Sequence, residues 1–125
     1  MIDPEVERRL SEGEVVRVRA ASHSMSPTIK QGESVFVRSG TAKWGDVILI
    51  RGRNDYTLHR LIGELSALGK TRMVHCGDAA FALPGLCNSK DVLGVADLPC
   101  RPLSLPRKTA LLLLAAALSV VDRLR

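Results

Sequence analysis

The sequence predicts a mainly β protein, a folded sheet or partly open barrel with a short helix at its amino end and an apolar helix at its carboxyl end. Three observations carry that expectation. Short runs rich in valine, isoleucine and leucine recur along the chain, separated by Gly, Asn and Asp turn residues. The stretch Glu14 to Ala20 alternates valine with arginine, the period of a strand with one wet face. Residues 109–121 carry only apolar or small side chains between flanking cations, which reads as a helix.

Taken in order, Asp3-Pro4-Glu5 is a helix start. Asp3 caps, Pro4 fits the first turn, acids suit the positive end, and Gly13 closes a helix of two or three turns. The first strand follows over Glu14 to Ala20, then a polar loop, then a second strand at Ser34-Val35-Phe36-Val37-Arg38. Residues 39–46 connect to Val47-Ile48-Leu49-Ile50, which is apolar on both faces and therefore expected at the centre of the sheet. Gly52-Arg53-Asn54-Asp55 is turn chemistry leading by a hairpin into Tyr56 to Ile62. A turn at Leu68-Gly69 leads to Thr71 to Cys76, which Gly77-Asp78 stops. Phe81 to Lys90 reads as an irregular loop, and Asp91 to Ala96 as the last strand. Pro99, Pro102 and Pro106 are expected to break regular structure before the tail. The domain plan is a β domain over residues 1–98, a proline-rich connector over 99–108 and an apolar helix over 109–125.

A chain of 125 residues makes one domain with one core, and 46% hydrophobic residues favour folding over disorder. Aromatics at 3% exclude a surface of stacked bases, so nucleic acid is not an expected partner despite a net charge of +5. The three cysteines, Cys76, Cys87 and Cys100, form an odd set without C-x-x-C spacing, so neither a disulfide framework nor a zinc site is expected. No cofactor is implied. The first ten residues are charged and lack an apolar core, so no secretory signal is expected and the location is taken as cytoplasmic. The tail is too short in apolar residues for a span of ~20. Its leucines at positions 111–114 leave no polar stripe. Peripheral contact with a membrane interface, or with a partner helix, through 109–121 stands beside plain packing on the domain. The oligomeric state is not legible.

The chemistry centres on Ser22-His23-Ser24-Met25-Ser26-Pro27-Thr28-Ile29 with Gly32 beyond it, lying between two strands. A serine at the mouth of such a turn is placed as a nucleophile would be. The alternative is a polar loop in which Ser22 and Ser24 only satisfy backbone groups. Farther on come Gly45-Asp46-Val47-Ile48, Leu58-His59-Arg60-Leu61-Ile62-Gly63 and Gly77-Asp78.

In that order these boxes resemble those of the signal peptidase and LexA-type serine peptidases. The first resembles the nucleophile box, and His59-Arg60 is similar to the branch of archaeal and endoplasmic-reticulum enzymes that uses histidine where bacterial members use lysine. The resemblance covers residue 20 to about residue 96. It implies Ser24 as nucleophile, His59 as general base and Asp78 as the acid that orients the imidazole. It also implies an oxyanion hole of the Ser22 hydroxyl and the Ser24 backbone N–H, with Met25 and Pro27 beside the substrate. Met25 is an apolar, adaptable contact for such a cleft.

Residue by residue, each role has a plainer counterpart. His59 in a strand also packs on backbone partners, and Asp78 after Gly77 is also a turn residue. Arg60 faces away from His59 and serves packing or charge pairing. His23, His75 and Lys70 are rival bases, though His23 should point away from Ser24 and Lys70 lies in a turn. The chain departs from the family at His23, where glycine is usual, and in lacking a further aspartate after Asp78. It also shows neither the amino-terminal anchor of signal peptidases nor a DNA-binding domain of the LexA kind. The expected function is therefore a serine endopeptidase acting on an extended peptide, precursor or leader. A catalytically weak or inactive peptide-binding module on the same fold is the alternative.

Overall fold

The computed structural model describes residues 3–80, 82–101 and 103–123. Phe81, Pro102 and Arg125, named above in the loop, the connector and the tail, lie outside the described residues. Helix α1 spans Pro4–Ser11, with the Asp3 side chain accepting from the Glu5 N–H at 2.9 Å and Pro4 in the first turn. Strands β1 (Val16–Arg19), β2 (Ser34–Arg38), β3 (Val47–Arg51), β4 (Tyr56–Ala67), β5 (Lys70–Cys76), β6 (Gly85–Cys87) and β7 (Val92–Ala96) follow, and helix α2 runs Leu105–Arg123.

The strands form one seven-stranded antiparallel sheet in the order β1-β2-β7-β3-β4-β5-β6, so β1 and β6 are its edges. Strand β3 lies between β7 and β4, as a run apolar on both faces requires, and Val47, Ile48, Leu49 and Ile50 are all buried. Each such side chain contributes about 1.5–3 kcal/mol on leaving water. Hairpin β3–β4 turns at residues 52–55, where the Gly52 N–H donates to the Asp55 carbonyl at 2.8 Å. Hairpin β4–β5 turns through Leu68 and Gly69, both at positive φ, as a two-residue turn between twisted strands demands.

Several boundaries differ from expectation for local reasons. Strand β4 continues past Ile62 to Ala67 because β5 pairs with it along that length, with a bulge between Leu61 and Gly63. The loop expected between residues 81 and 90 contains the short edge strand β6, Gly85–Cys87, paired to Met73–His75, and a turn of 3₁₀ helix at Ser89–Asp91. Pro106 does not break the tail. It stands in the first turn of α2, where a missing N–H costs nothing, so the helix starts at Leu105 inside the expected connector.

Residues facing alternately divide the core. Val16 of β1, Val37 of β2, Val47 and Leu49 of β3, Leu58 of β4, Leu10 of α1, and Met25 and Ile29 of the following loop form one cluster. Ile48, Ile50, Leu61 and Cys87 pack on the opposite side of the central strands. Ile62, Val74, Cys76 and Ala115 join β4 and β5 to α2. The inner side of α2 is thus buried on the sheet, while Leu113, Leu114, Leu118 and Val120 face outward and exposed. Among the described residues, no helix is long and apolar enough to cross a membrane.

One ion pair crosses the interior. Arg60, 3% exposed, grips Asp78 with two parallel bonds, Nε to Oδ1 at 2.9 Å and Nη2 to Oδ2 at 2.7 Å. Its Nη1 donates to the carbonyls of Gly45 at 2.6 Å and Pro99 at 3.3 Å, and Thr28 Oγ1 donates to Asp78 Oδ2 at 2.6 Å. Burial alone would push the Asp78 carboxyl up. The hydrogen bonds from Arg60 and Thr28, with the guanidinium charge, outweigh it and hold the carboxyl below its ordinary value. Because the folded value lies below the unfolded one, the stabilisation is complete above pH ~4 and is lost as pH falls below it. Asp78→Asn strands a buried guanidinium and is expected to cost ~3–5 kcal/mol, read from urea unfolding at pH 7. The variant should also lose the acid-dependent part of wild-type stability.

Candidate active site

The loop after β1 is closed by backbone bonds at its base, where the Ala20 N–H donates to the Glu33 carbonyl and the Gly32 N–H to the Ala20 carbonyl, both at 2.8 Å. Within it the Ser26 N–H donates to the His23 carbonyl at 3.0 Å and the Ile29 N–H to the Met25 carbonyl at 2.9 Å. The Ser26–Pro27 peptide is cis. Met25 and Ile29 anchor the loop in the core, leaving Ser22 exposed and Ser24 half-buried at its rim.

Ser24 is seated against the end of β5. The Ala79 N–H donates to its carbonyl at 2.9 Å, and a methyl group on Gly77 would fall 2.2 Å from that same carbonyl oxygen. The two hydroxyls of the box meet each other. Ser22 Oγ donates to Ser24 Oγ at 3.1 Å and accepts from the Ser24 N–H at 3.3 Å. The two groups expected to form an oxyanion hole are therefore adjacent but turned inward. They border a cavity of about 330 Å³ between the end of β1 and the start of β4. Its walls include Val18, Ala20, Met25, Leu49, Thr57 and Leu58.

His59 follows Leu58 on β4 and pairs with Ile48 on β3, so its side chain stands on the face opposite to Leu58 and Arg60. Arg60 pairs with Cys76; continuing that register one step sets Gly77 across from His59. Ser24 thus rests on Gly77, which lies across from His59 by that register, while His59 itself does not line the cavity. Among the described residues, no hydrogen bond joins Ser24 to His59.

The partner of His59 is His75. Their Nδ1 atoms are 2.8 Å apart and their ring centroids 5.0 Å. Both rings are largely withdrawn from water. Burial, with a smaller contribution from the neighbouring His59, pulls His75 down to about 4. Burial also lowers His59, against a partial opposing effect of the Asp78 charge. His59 is therefore mainly a neutral imidazole at pH 7, with its Nδ1 engaged by His75.

The structure corrects the acid. Asp78 does not hold His59: both its oxygens are taken by Arg60 and Thr28, and its influence on His59 is through space. The cause is parity. His59 and Arg60 are adjacent in a strand, and the Asp78 carboxylate lies on the arginine's side. Arg60 is the charge-paired residue that its position opposite His59 implies. Pro27 is exposed and does not border the cavity, so it is not placed to touch a substrate there, whereas Met25 lies under the loop as core and also lines the cavity wall. His23 is exposed, and Lys70 sits at the β4–β5 turn, paired with Ala67. The residue that sequence reasoning set aside is His75, weighed only as a rival base. The register of β5 against β4, placing His75 across from Leu61, is the signal that brings it to His59.

Among the described residues, no group of three His, Cys, Asp or Glu side chains is arranged to hold a metal ion. No protein-family model, curated protein or solved structure matches the chain. The seat of Ser24 on Gly77 is directly testable. In Gly77→Ala the added methyl runs into the Ser24 carbonyl, and the overpacking is expected to cost ~1–3 kcal/mol, read from urea unfolding.

Proposed function

We propose that the protein is a serine endopeptidase with Ser24 as nucleophile and His59 as general base, acting on an extended peptide or precursor leader. The observation that carries this reading is the seat of Ser24 on Gly77, which the strand register sets across from a part-buried, mainly neutral His59. Ser24 Oγ attacks the scissile carbonyl carbon as its proton passes to His59 Nε2. The resulting oxyanion takes hydrogen bonds from the Ser24 N–H and, once the hydroxyl rotates off Ser24 Oγ, from Ser22. The imidazolium then protonates the leaving amine as the C–N bond breaks, and water resolves the acyl-enzyme by the same path in reverse. Catalytic contacts are commonly loose before substrate binds, so the missing Ser24–His59 bond is compatible with this sequence of steps.

A peptide has a natural berth. Strand β1 is an edge of the sheet, its residues Val18 and Arg19 line the cavity, and Ser22 and Ser24 follow shortly after it. An extended peptide added alongside β1 would present its backbone to the serine loop. The same groove without turnover is the second reading, favoured by the lack of any carboxylate on His59.

Fluorophosphonate labelling and cleavage of a peptide library separate the two. Ser24→Ala should abolish labelling, and His59→Ala should slow it by ~10³-fold or more. Labelling unchanged in both variants rejects the assignment. Peptide binding of equal affinity in wild type and Ser24→Ala, with no cleavage by either, supports the binding module instead.

A further inference from the structure

We propose that His75 is the positioning residue for the His59 base, accepting the His59 Nδ1–H through its own Nδ1 and so leaving His59 Nε2 bare on the side that exchanges protons. The proposal rests on the peptidase reading for its catalytic meaning and on the histidine pair alone for its geometry.

Two imidazole nitrogens 2.8 Å apart must share one hydrogen, because two bare lone pairs or two N–H groups would repel at that distance. Only one of the two neutral arrangements makes His59 a base. If His59 Nδ1 donates, Nε2 is a free lone pair. If His75 donates, His59 carries its proton on Nε2 and has nothing with which to accept one from serine. The surroundings favour the first arrangement once charge develops. Asp78 acts on His59 through space and favours positive charge there, whereas the neighbour that affects His75 is His59 itself, which opposes charge. An incoming proton therefore rests on His59, whose Nδ1–H stays donated to His75.

The site is shaped around the second ring. His75 pairs with Leu61 on one side and with Gly85 on the other. A methyl group on Gly85 would fall 2.6 Å from His75 Cε1 and 3.0 Å from Nε2, so β6 comes as close to the imidazole as a residue without a side chain allows. The other groups near the pair bring little charge. Strand β3 offers Ile48, β4 offers Leu61 with Arg60 turned to the far face, and β6 offers Cys87, whose thiol burial pushes up to about 11. Asp78, in the segment after β5, is the one anionic group among these at neutral pH, and Arg60 is its counter-charge on the far face.

A neutral acceptor stabilises imidazolium less than a carboxylate would. The base should accordingly titrate below the ordinary histidine value, with the acid limb of kcat/KM below pH ~6.5. Long-range proton–nitrogen NMR of the full chain reads the His59 tautomer and its titration without any turnover. Wild type should show His59 protonated at Nδ1. His75→Asp, an ionised acceptor, should raise the His59 midpoint by about one pH unit or more and carry the acid limb with it. His75→Leu should populate the Nε2–H form and lower kcat/KM by ~10²-fold or more, while His75→Asn, whose amide oxygen still accepts, should stay within about tenfold of wild type. If His75→Leu does not fold, the Asp and Asn variants carry the test.

A wild-type His59 protonated at Nε2, or a tautomer and midpoint indifferent to all His75 variants, overturns the proposal. The two readings fail separately. Ser24-dependent labelling that ignores His75 leaves the peptidase standing without this role. A His75-dependent tautomer with no labelling leaves the pair standing without the peptidase.

Discussion

The buried clasp of Arg60 on Asp78 fixes where everything near the candidate site can lie. A guanidinium with 3% exposure must satisfy its donors inside the protein, and Arg60 does so by reaching three separate segments directly and a fourth through Asp78. Asp78 follows β5, Gly45 precedes β3, Pro99 belongs to the connector before α2, and Thr28, bound to the same carboxylate, belongs to the serine loop. Replacing such a pair by well-packed apolar side chains is often neutral or stabilising, so its net stability is a poor account of its presence. Its geometry is the better account. A planar fork matched to a carboxylate accepts one arrangement of the attached loops, and that arrangement seats Ser24 on Gly77.

The neighbour of Arg60 is held by different physics. His59 lies on the other face of the same strand, where Ile48 and Leu61 withdraw it from water. One residue is charged and locked by the clasp; the next is neutral because burial disfavours its charged form. Had Asp78 bonded both, the arginine would have lost part of its only counter-charge. The carboxylate bonds Arg60 and Thr28, and the imidazole is left to a second, part-buried imidazole whose Nδ1 lies 2.8 Å from its own. Of the two adjacent residues, Arg60 is tied to the loops by the clasp and His59 is tied to His75.

Legibility followed the range of the forces involved. Elements set by local chemistry could be read directly: the Asp3 cap, the second strand at Ser34–Arg38, the doubly apolar β3 and the turn at Leu68-Gly69. Features set by pairing could not. Gly85–Cys87 becomes a strand because β5 offers it an open edge, and nothing in those few residues beside Pro84 announces it. The serine loop was legible as a place, through its box of small and hydroxyl residues and its flanking strands. The partner of Asp78 was not, since His59 and Arg60 are one residue apart and only the face of the strand decides between them. His75 was legible as a histidine in a strand but not as a neighbour of His59, because its position depends on a register shifted by the bulge between Leu61 and Gly63.

The carboxyl-terminal helix shows the same dependence on what it covers. Read alone, residues 109–121 are apolar all round, and no face is marked as the inner one. Packing on β4 and β5 selects one: Leu112 and Lys108 lie over Gly63, Ala115 is buried against Ile62, Val74 and Cys76, and the Lys108 ammonium sits 3.6 Å from the centre of the Trp44 ring. This contact ties the start of α2 to the connector that ends at Gly45, whose carbonyl Arg60 holds. The helix is thus held along its inner side by the sheet and near its start by Trp44. Its outward leucines remain uncovered because the sheet has no further apolar surface on that side to offer them.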